Sequence, residues 1–94
     1  LNDYNSIKGS IIPKYPNSSI LVVDDNLDMC SYIKTLLQPY WKVETAFNGI
    51  EALECVSKKL PDLILSDVMM PLMDGFELVK KLRQNEMTKL IPII

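Results

Sequence analysis

The 94-residue sequence contains no histidine, two cysteines and three glycines, and its acids and bases nearly balance. Each shortage narrows the field. Without histidine, Cys30 and Cys55 have no imidazole with which to complete a metal site, and their spacing fits no metal-ligand pattern. Each lies inside a segment that reads as helical, so both are expected as reduced thiols in a cytoplasmic protein rather than as a disulfide. Twelve acids against ten bases leave a net charge of −2, which gives no electrostatic footprint for direct nucleic acid binding. No apolar run approaches the roughly 18–20 residues of a membrane span, so no membrane segment is expected.

What is present is ordinary for one small globular domain: 48% hydrophobic and 23% charged residues, at a length near the lower end of what buries its own core. The chain starts at Leu1 and stops in the apolar run Leu90-Ile91-Pro92-Ile93-Ile94, and it reads as a fragment. Residues 1–18, with two prolines, a glycine and several serines and asparagines, show no sustained period and read as a linker or disordered lead-in.

From residue 19 the pattern becomes regular. Ile20-Leu21-Val22-Val23 is a continuous apolar run, as in a strand covered on both faces. Asn26 or a neighbour can cap the helix that follows, in which Met29, Ile33, Leu36 and Leu37 form one stripe, ended at Gln38-Pro39. Lys42 to Phe47 alternates, as in a strand nearer a sheet edge. Asn48-Gly49 punctuates, Asn48 can cap the helix after it, and Ala52, Leu53, Val56 and Leu60 then give a second stripe, stopped by Pro61. Leu63-Ile64-Leu65 reads as a third buried strand. A third helix opens at Gly75, lined by Phe76, Val79 and Leu82, and Ile91 to Ile94 begins a fourth strand. This β-α-β-α-β-α-β order with short connections implies an α/β fold with a parallel sheet between two layers of helices.

Two of these strands end in acid: Asp24-Asp25 after the first and Asp67 after the third. If the two strands are neighbours, their carboxyl ends lie roughly 5 Å apart and three carboxylates share one rim, where open α/β sheets place their ligands. Carboxylates so close repel one another. A hard divalent cation such as Mg²⁺ resolves the conflict, and a carboxylate beside it can act as the nucleophile that takes a phosphoryl group. Each piece alone has a plainer reading. Asp-Asp-Asn is common turn and capping sequence, Asp74-Gly75 fits a turn, and Met69, Met70 and Met73 fit loop and core filler. The conjunction, in this topological order, favours the functional reading.

Three blocks also carry a resemblance: Ile20-Leu21-Val22-Val23-Asp24-Asp25-Asn26, then Ala46 to Leu53, then Pro61 to Leu78 with Ser66-Asp67-Val68-Met69-Met70-Pro71 at its centre. In order and spacing they resemble the receiver domain of two-component response regulators and hybrid histidine kinases, over residues 19–94. The resemblance implies a flavodoxin-like doubly wound parallel sheet of strand order 2-1-3-4-5, incomplete because the chain ends in the fourth strand. It implies that Asp67 is the phosphoacceptor, served by a phosphohistidine on a histidine kinase or histidine phosphotransfer protein. Asp24, Asp25, Asp67 and the backbone carbonyl of Met69 would hold Mg²⁺, with Pro71 and Gly75 shaping the loop. The module would be a phosphorylated signalling domain rather than an enzyme, cut from a larger protein.

The family's Ser or Thr at the end of the fourth strand and Lys at the end of the fifth have no positions in this sequence. A binding-only remnant is therefore the alternative, and the exposed sheet edge is a place for self-association. A third reading, an aspartyl-nucleophile phosphohydrolase of the haloacid dehalogenase type, needs a second Asp two residues past the nucleophile, where this chain has Met69.

Overall fold

A computed structural model describes residues 17–94. The lead-in expected over residues 1–18 therefore lies outside the described residues, apart from Asn17 and Ser18. The elements are β1 (Ser19–Val23), α1 (Leu27–Leu37), β2 (Lys42–Ala46), α2 (Gly49–Lys58), β3 (Leu63–Ser66) and α3 (Gly75–Gln84). The three strands form one parallel sheet in the order β2-β1-β3, the first three places of the expected flavodoxin-like order.

Strand position follows from side-chain pattern. All five residues of β1 are buried, which suits its uninterrupted apolar run to the middle of the sheet. In β2, Lys42 and Glu44 are exposed while Val43 and Thr45 are half-buried, as on an edge strand that puts charge where another chain would pair. Because side chains alternate along a strand, β1 feeds two cores. Leu21 and Val23 join Ile64 of β3, Ala52 and Val56 of α2, and Leu78 and Leu82 of α3. On the other face, Ile20 and Val22 meet Cys30 and Leu37 of α1, with Ile33, Trp41, Val43, Leu63 and Leu65 packed around them. Helices thus cover both faces of the sheet.

The helices have 10 or 11 residues, too short to persist alone in water, so their packing and caps hold them. Asn26, Asn48 and Asp74 each accept a hydrogen bond from a first-turn amide, those of Met29 (3.0 Å), Glu51 (2.8 Å) and Glu77 (3.0 Å). Such a cap contributes about 1 kcal/mol. Asp74, which the sequence allows as mere turn chemistry, is therefore the N-cap of α3.

Three helical faces differ from expectation. Leu60, placed on the stripe of α2, lies past the end of that helix and is 42% exposed. In α1 the buried residues are Cys30 and Leu37, with Ile33 half-buried, while Met29 and Leu36 are 44% and 49% exposed. The apolar residues on this helix are compatible with two adjacent faces, and docking on β1 chooses the one through Cys30. In α3, Phe76 is 72% exposed and Leu78 fully buried. A first-turn residue sits at the rim, above the sheet, whereas Leu78 and Leu82 form the i, i+4 pair that faces it.

The expected fourth strand is one parallel bridge, Ile64 to Ile93, secured by Ile64 N to Pro92 O (2.9 Å), Ile94 N to Ile64 O (2.9 Å) and Ser66 N to Ile94 O (3.0 Å). It lies beside β3, where a fourth strand belongs. The connection leading to it is clamped from α3. Arg83 Nη1 donates to the carbonyls of Lys89 and Ile91, both at 2.8 Å, and the buried Thr88 hydroxyl donates to Leu82 O at 2.6 Å.

Candidate functional site

Parallel register builds the acidic rim. Val23 of β1 is paired with Ser66 of β3, so the next residues, Asp24 and Asp67, leave the sheet side by side. Each is still held by the ladder: Asp24 N donates to Ala46 O (3.0 Å) and Asp67 N to Val23 O (2.8 Å). One carboxylate oxygen from each of Asp24, Asp25 and Asp67 lies within 4.8 Å of the others. Asp24 and Asp67 are half-buried and Asp25 is exposed.

The carboxylates are oriented locally. Asp24 Oδ1 accepts from the Asn26 amide at 2.9 Å, a turn that delivers the chain to the α1 cap, and Asp67 Oδ1 accepts from the Val68 amide at 2.8 Å. Among the described residues no Lys or Arg forms an ion pair with any of the three; the recorded pair is Lys89–Glu86, at 2.7 Å. The cluster therefore combines three negative groups, oxygen donors and no compensating side chain. That donor set fits a hard, oxygen-seeking divalent cation and does not fit a soft metal. Cys30, the neighbouring sulfur, turns its Sγ to the backbone carbonyl of Asp24 (3.3 Å). Burial, followed by the charge of Asp24, raises its pKa above the ordinary 9.0, so it stays a neutral thiol.

The loop from Asp67 to Gly75 is tightly tethered. Met70 is buried in the core and Met73 packs against it, while the side chain of Met69 is 79% exposed. Of the three loop methionines, two are filler and Met69 is not. Met73 N donates to Pro71 O at 2.8 Å across Leu72, whose φ of 69° makes this a γ-turn, a strained form for a residue with a bulky side chain. Gly75 N returns to Val68 O at 2.9 Å. A Cβ on Gly75 would sit 2.5 Å from Asp67 O and 2.9 Å from Val68 Cα, both backbone atoms, so only glycine allows α3 to start so close to the acidic strand end.

In the sequence Pro71 and Gly75 mark this loop, whereas Gly49 reads only as punctuation. Gly49 N donates to Met73 O at 3.1 Å, which ties the first residue of α2 to the loop after Asp67. No local pattern betrays this bond, because its partners are distant in sequence. Clefts of about 300 Å³ between β1, β2 and the end of α2, about 330 Å³ between the ends of α2 and α3, and about 320 Å³ between α1 and the end of β2 contain none of the three acids.

The family model for the response regulator receiver domain matches residues 20–94. The chain belongs to this family. It is 47% identical over 75 residues to hybrid signal transduction histidine kinase D of Dictyostelium discoideum, covering 80% of this chain and 5% of that protein. With response regulator PleD of Caulobacter vibrioides it shares 42% over 79 residues, 83% of this chain and 17% of the relative. Among solved structures, chemotaxis response regulator CheY4 of Vibrio cholerae superposes with a TM-score of 0.79 at 41% identity, over 82% of this chain and 65% of that one. The receiver domain of a Syntrophus aciditrophicus signal transduction histidine kinase gives 0.77 at 36%, over 81% and 58%. The chain thus spans a small part of these curated relatives and about two thirds or less of the solved receivers. Receivers are the signalling modules of two-component phosphorelays, and members of the family typically bind Mg²⁺ and form a phosphoaspartate. Among the described residues no helix is long and apolar enough to cross a membrane.

Proposed function

We propose that Asp67 accepts a phosphoryl group from a phosphohistidine of a histidine kinase or histidine phosphotransfer protein, with Mg²⁺ held by Asp24, Asp25, Asp67 and the backbone carbonyl of Met69. The convergence of the three carboxylates at neighbouring strand ends carries this reading. In our account residues 19–94 are the receiver portion of a larger cytoplasmic signalling protein, and residues 1–18 are the linker that leads into it.

Asp67 Oδ1 accepts from the Val68 amide, which leaves the other oxygen of the same carboxylate to act as the nucleophile. That oxygen forms the new O–P bond as the P–N bond to the donor imidazole breaks, and the imidazole leaves with the electron pair. The bound cation would neutralise charge on the transferring phosphoryl oxygens, which is the main catalytic need of such a transfer. The ladder bonds from Asp24 and Asp67 fix the spacing of the acids, and the γ-turn and Gly75 fix the loop beside them. No acid stands two residues past Asp67 to serve as a hydrolase's proton donor, since Met69 occupies that place.

Beryllium fluoride with Mg²⁺, a mimic of an acyl phosphate, tests the reading. A bound fluorine-19 NMR resonance is expected with the wild-type chain and not with Asp67→Asn. Absence of binding to the wild-type chain favours the binding-only remnant instead.

A further inference from the structure

The connection from β2 to α2 touches both arms of the acidic rim. At its start, Ala46 O accepts the amide of Asp24 (3.0 Å); at its end, Gly49 N donates to Met73 O in the loop that follows Asp67 (3.1 Å). Ala46 is fully buried and Gly49 is buried, so neither end swings freely. Between them, Asn48 caps α2 through the Glu51 amide at 2.8 Å, which fixes where the Gly49 N–H points. A Cβ built on Gly49 would lie 2.6 Å from Met73 Cγ, 2.8 Å from Met73 Cβ and 2.8 Å from Met73 O. The first contact involves a side chain, but the last involves the loop backbone itself. The loop has little slack to absorb such a push: Leu72 is already at φ 69°, Met70 is buried in the core, and Gly75 N closes the loop on Val68 O.

We infer that Gly49 is a positioning residue for the cation site: together with Ala46 it braces the β1 and β3 ends of the acidic rim, and it sets divalent cation affinity without touching the ion. This rests on the proposed Mg²⁺ reading. Displacing the Met73 carbonyl drives the Pro71–Met73 turn, and with it the segment from Val68 to Met69 that continues from Asp67. An alanine at Gly49 favours the helix locally, so its effect on the site and its effect on α2 run in opposite directions.

The test measures cation affinity by electron paramagnetic resonance of Mn²⁺ with Mg²⁺ competition, on the full chain. It also measures amide hydrogen exchange of Val68 to Met73 without any cation. Gly49→Ala is expected to weaken Mg²⁺ binding by about tenfold, the low end of what loss of outer-shell support costs a metal site, and to speed exchange in the loop. Asn48→Ala, which frees the first turn of α2 without adding bulk, is expected to change both in the same direction and serves if the glycine variant does not fold. Unchanged affinity in a folded variant overturns the inference. If the wild-type chain binds no cation, the proposed Mg²⁺ reading fails; the brace is then judged by exchange alone, and unaltered loop exchange in both variants overturns it.

Discussion

Replacing Asp67 by Asn should make the metal-free chain more stable, although it removes the residue on which the chemistry depends. The unfolded chain keeps Asp24 beside Asp25 but separates both from Asp67, so folding creates two new repulsions, each between oxygens within 4.8 Å. At that separation two unit charges repel by about 0.9 kcal/mol in bulk water, and by more where protein lowers the effective dielectric. Salt at about 0.15 M, with a Debye length of about 8 Å, roughly halves this. Neutralising Asp67 relieves both pairs, which amounts to about 1 kcal/mol in 0.15 M salt and about 1.5 kcal/mol at 0.01 M. Asn retains an oxygen for the Val68 amide, so the local hydrogen bond survives. Urea unfolding followed by circular dichroism in EDTA, at both salt concentrations, gives the comparison. Mg²⁺ should then stabilise the wild-type chain by about 1.4 kcal/mol at ten times its dissociation constant, and have little effect on Asp67→Asn. A variant no more stable than wild type in EDTA, or a difference indifferent to salt, would refute the reasoning.

Other outcomes follow from packing and burial. Leu78→Ala should cost about 2–5 kcal/mol because Leu78 is fully buried, whereas Phe76→Ala should stay within about 0.5 kcal/mol; denaturation midpoints of the two variants check the contrast. Burial first, and the charge of Asp24 second, raise the pKa of Cys30 above 9.0. The neutral thiol is the form favoured in the fold, so its contribution is complete below that pH and is lost as pH rises through the raised folded value; Cys30→Ala should flatten the alkaline fall in stability. Leu63 and Leu65 are only partly buried on the face that carries α1, and Leu90 and Ile94 are 86% and 69% exposed. Sedimentation of the chain should therefore show a mass that grows with concentration, and a monomer across the micromolar range would contradict self-association at this side of the sheet.

How much of this was legible in the sequence depended on whether the deciding contacts were local. The continuous run in β1 and the alternation in β2 announced a central and an edge strand, because strand burial is written directly into side-chain period. The carboxylates were legible for the same reason: once β1 and β3 were read as parallel neighbours, Asp24 and Asp67 had to leave the sheet together. Caps at Asn26 and Asn48 were equally local. Helix faces were less so. The core face of α1 runs through Cys30 rather than Met29, and that choice is made by the angle at which the helix meets β1. Least legible was the loop after Asp67. Its turn at Leu72 uses a positive φ without the glycine that usually marks one, and its bond to Gly49 joins residues from different βα units.

The central claim is that Asp67 takes the phosphoryl group. Intact-mass spectrometry after incubation with a small phosphodonor such as phosphoramidate, with Mg²⁺ and again with EDTA, tests it most directly. We predict a gain of one phosphoryl mass that requires Mg²⁺, is removed by hydroxylamine as an acyl phosphate should be, and maps to Asp67. Equal labelling of Asp67→Asn, or labelling that persists in hydroxylamine, would contradict the account.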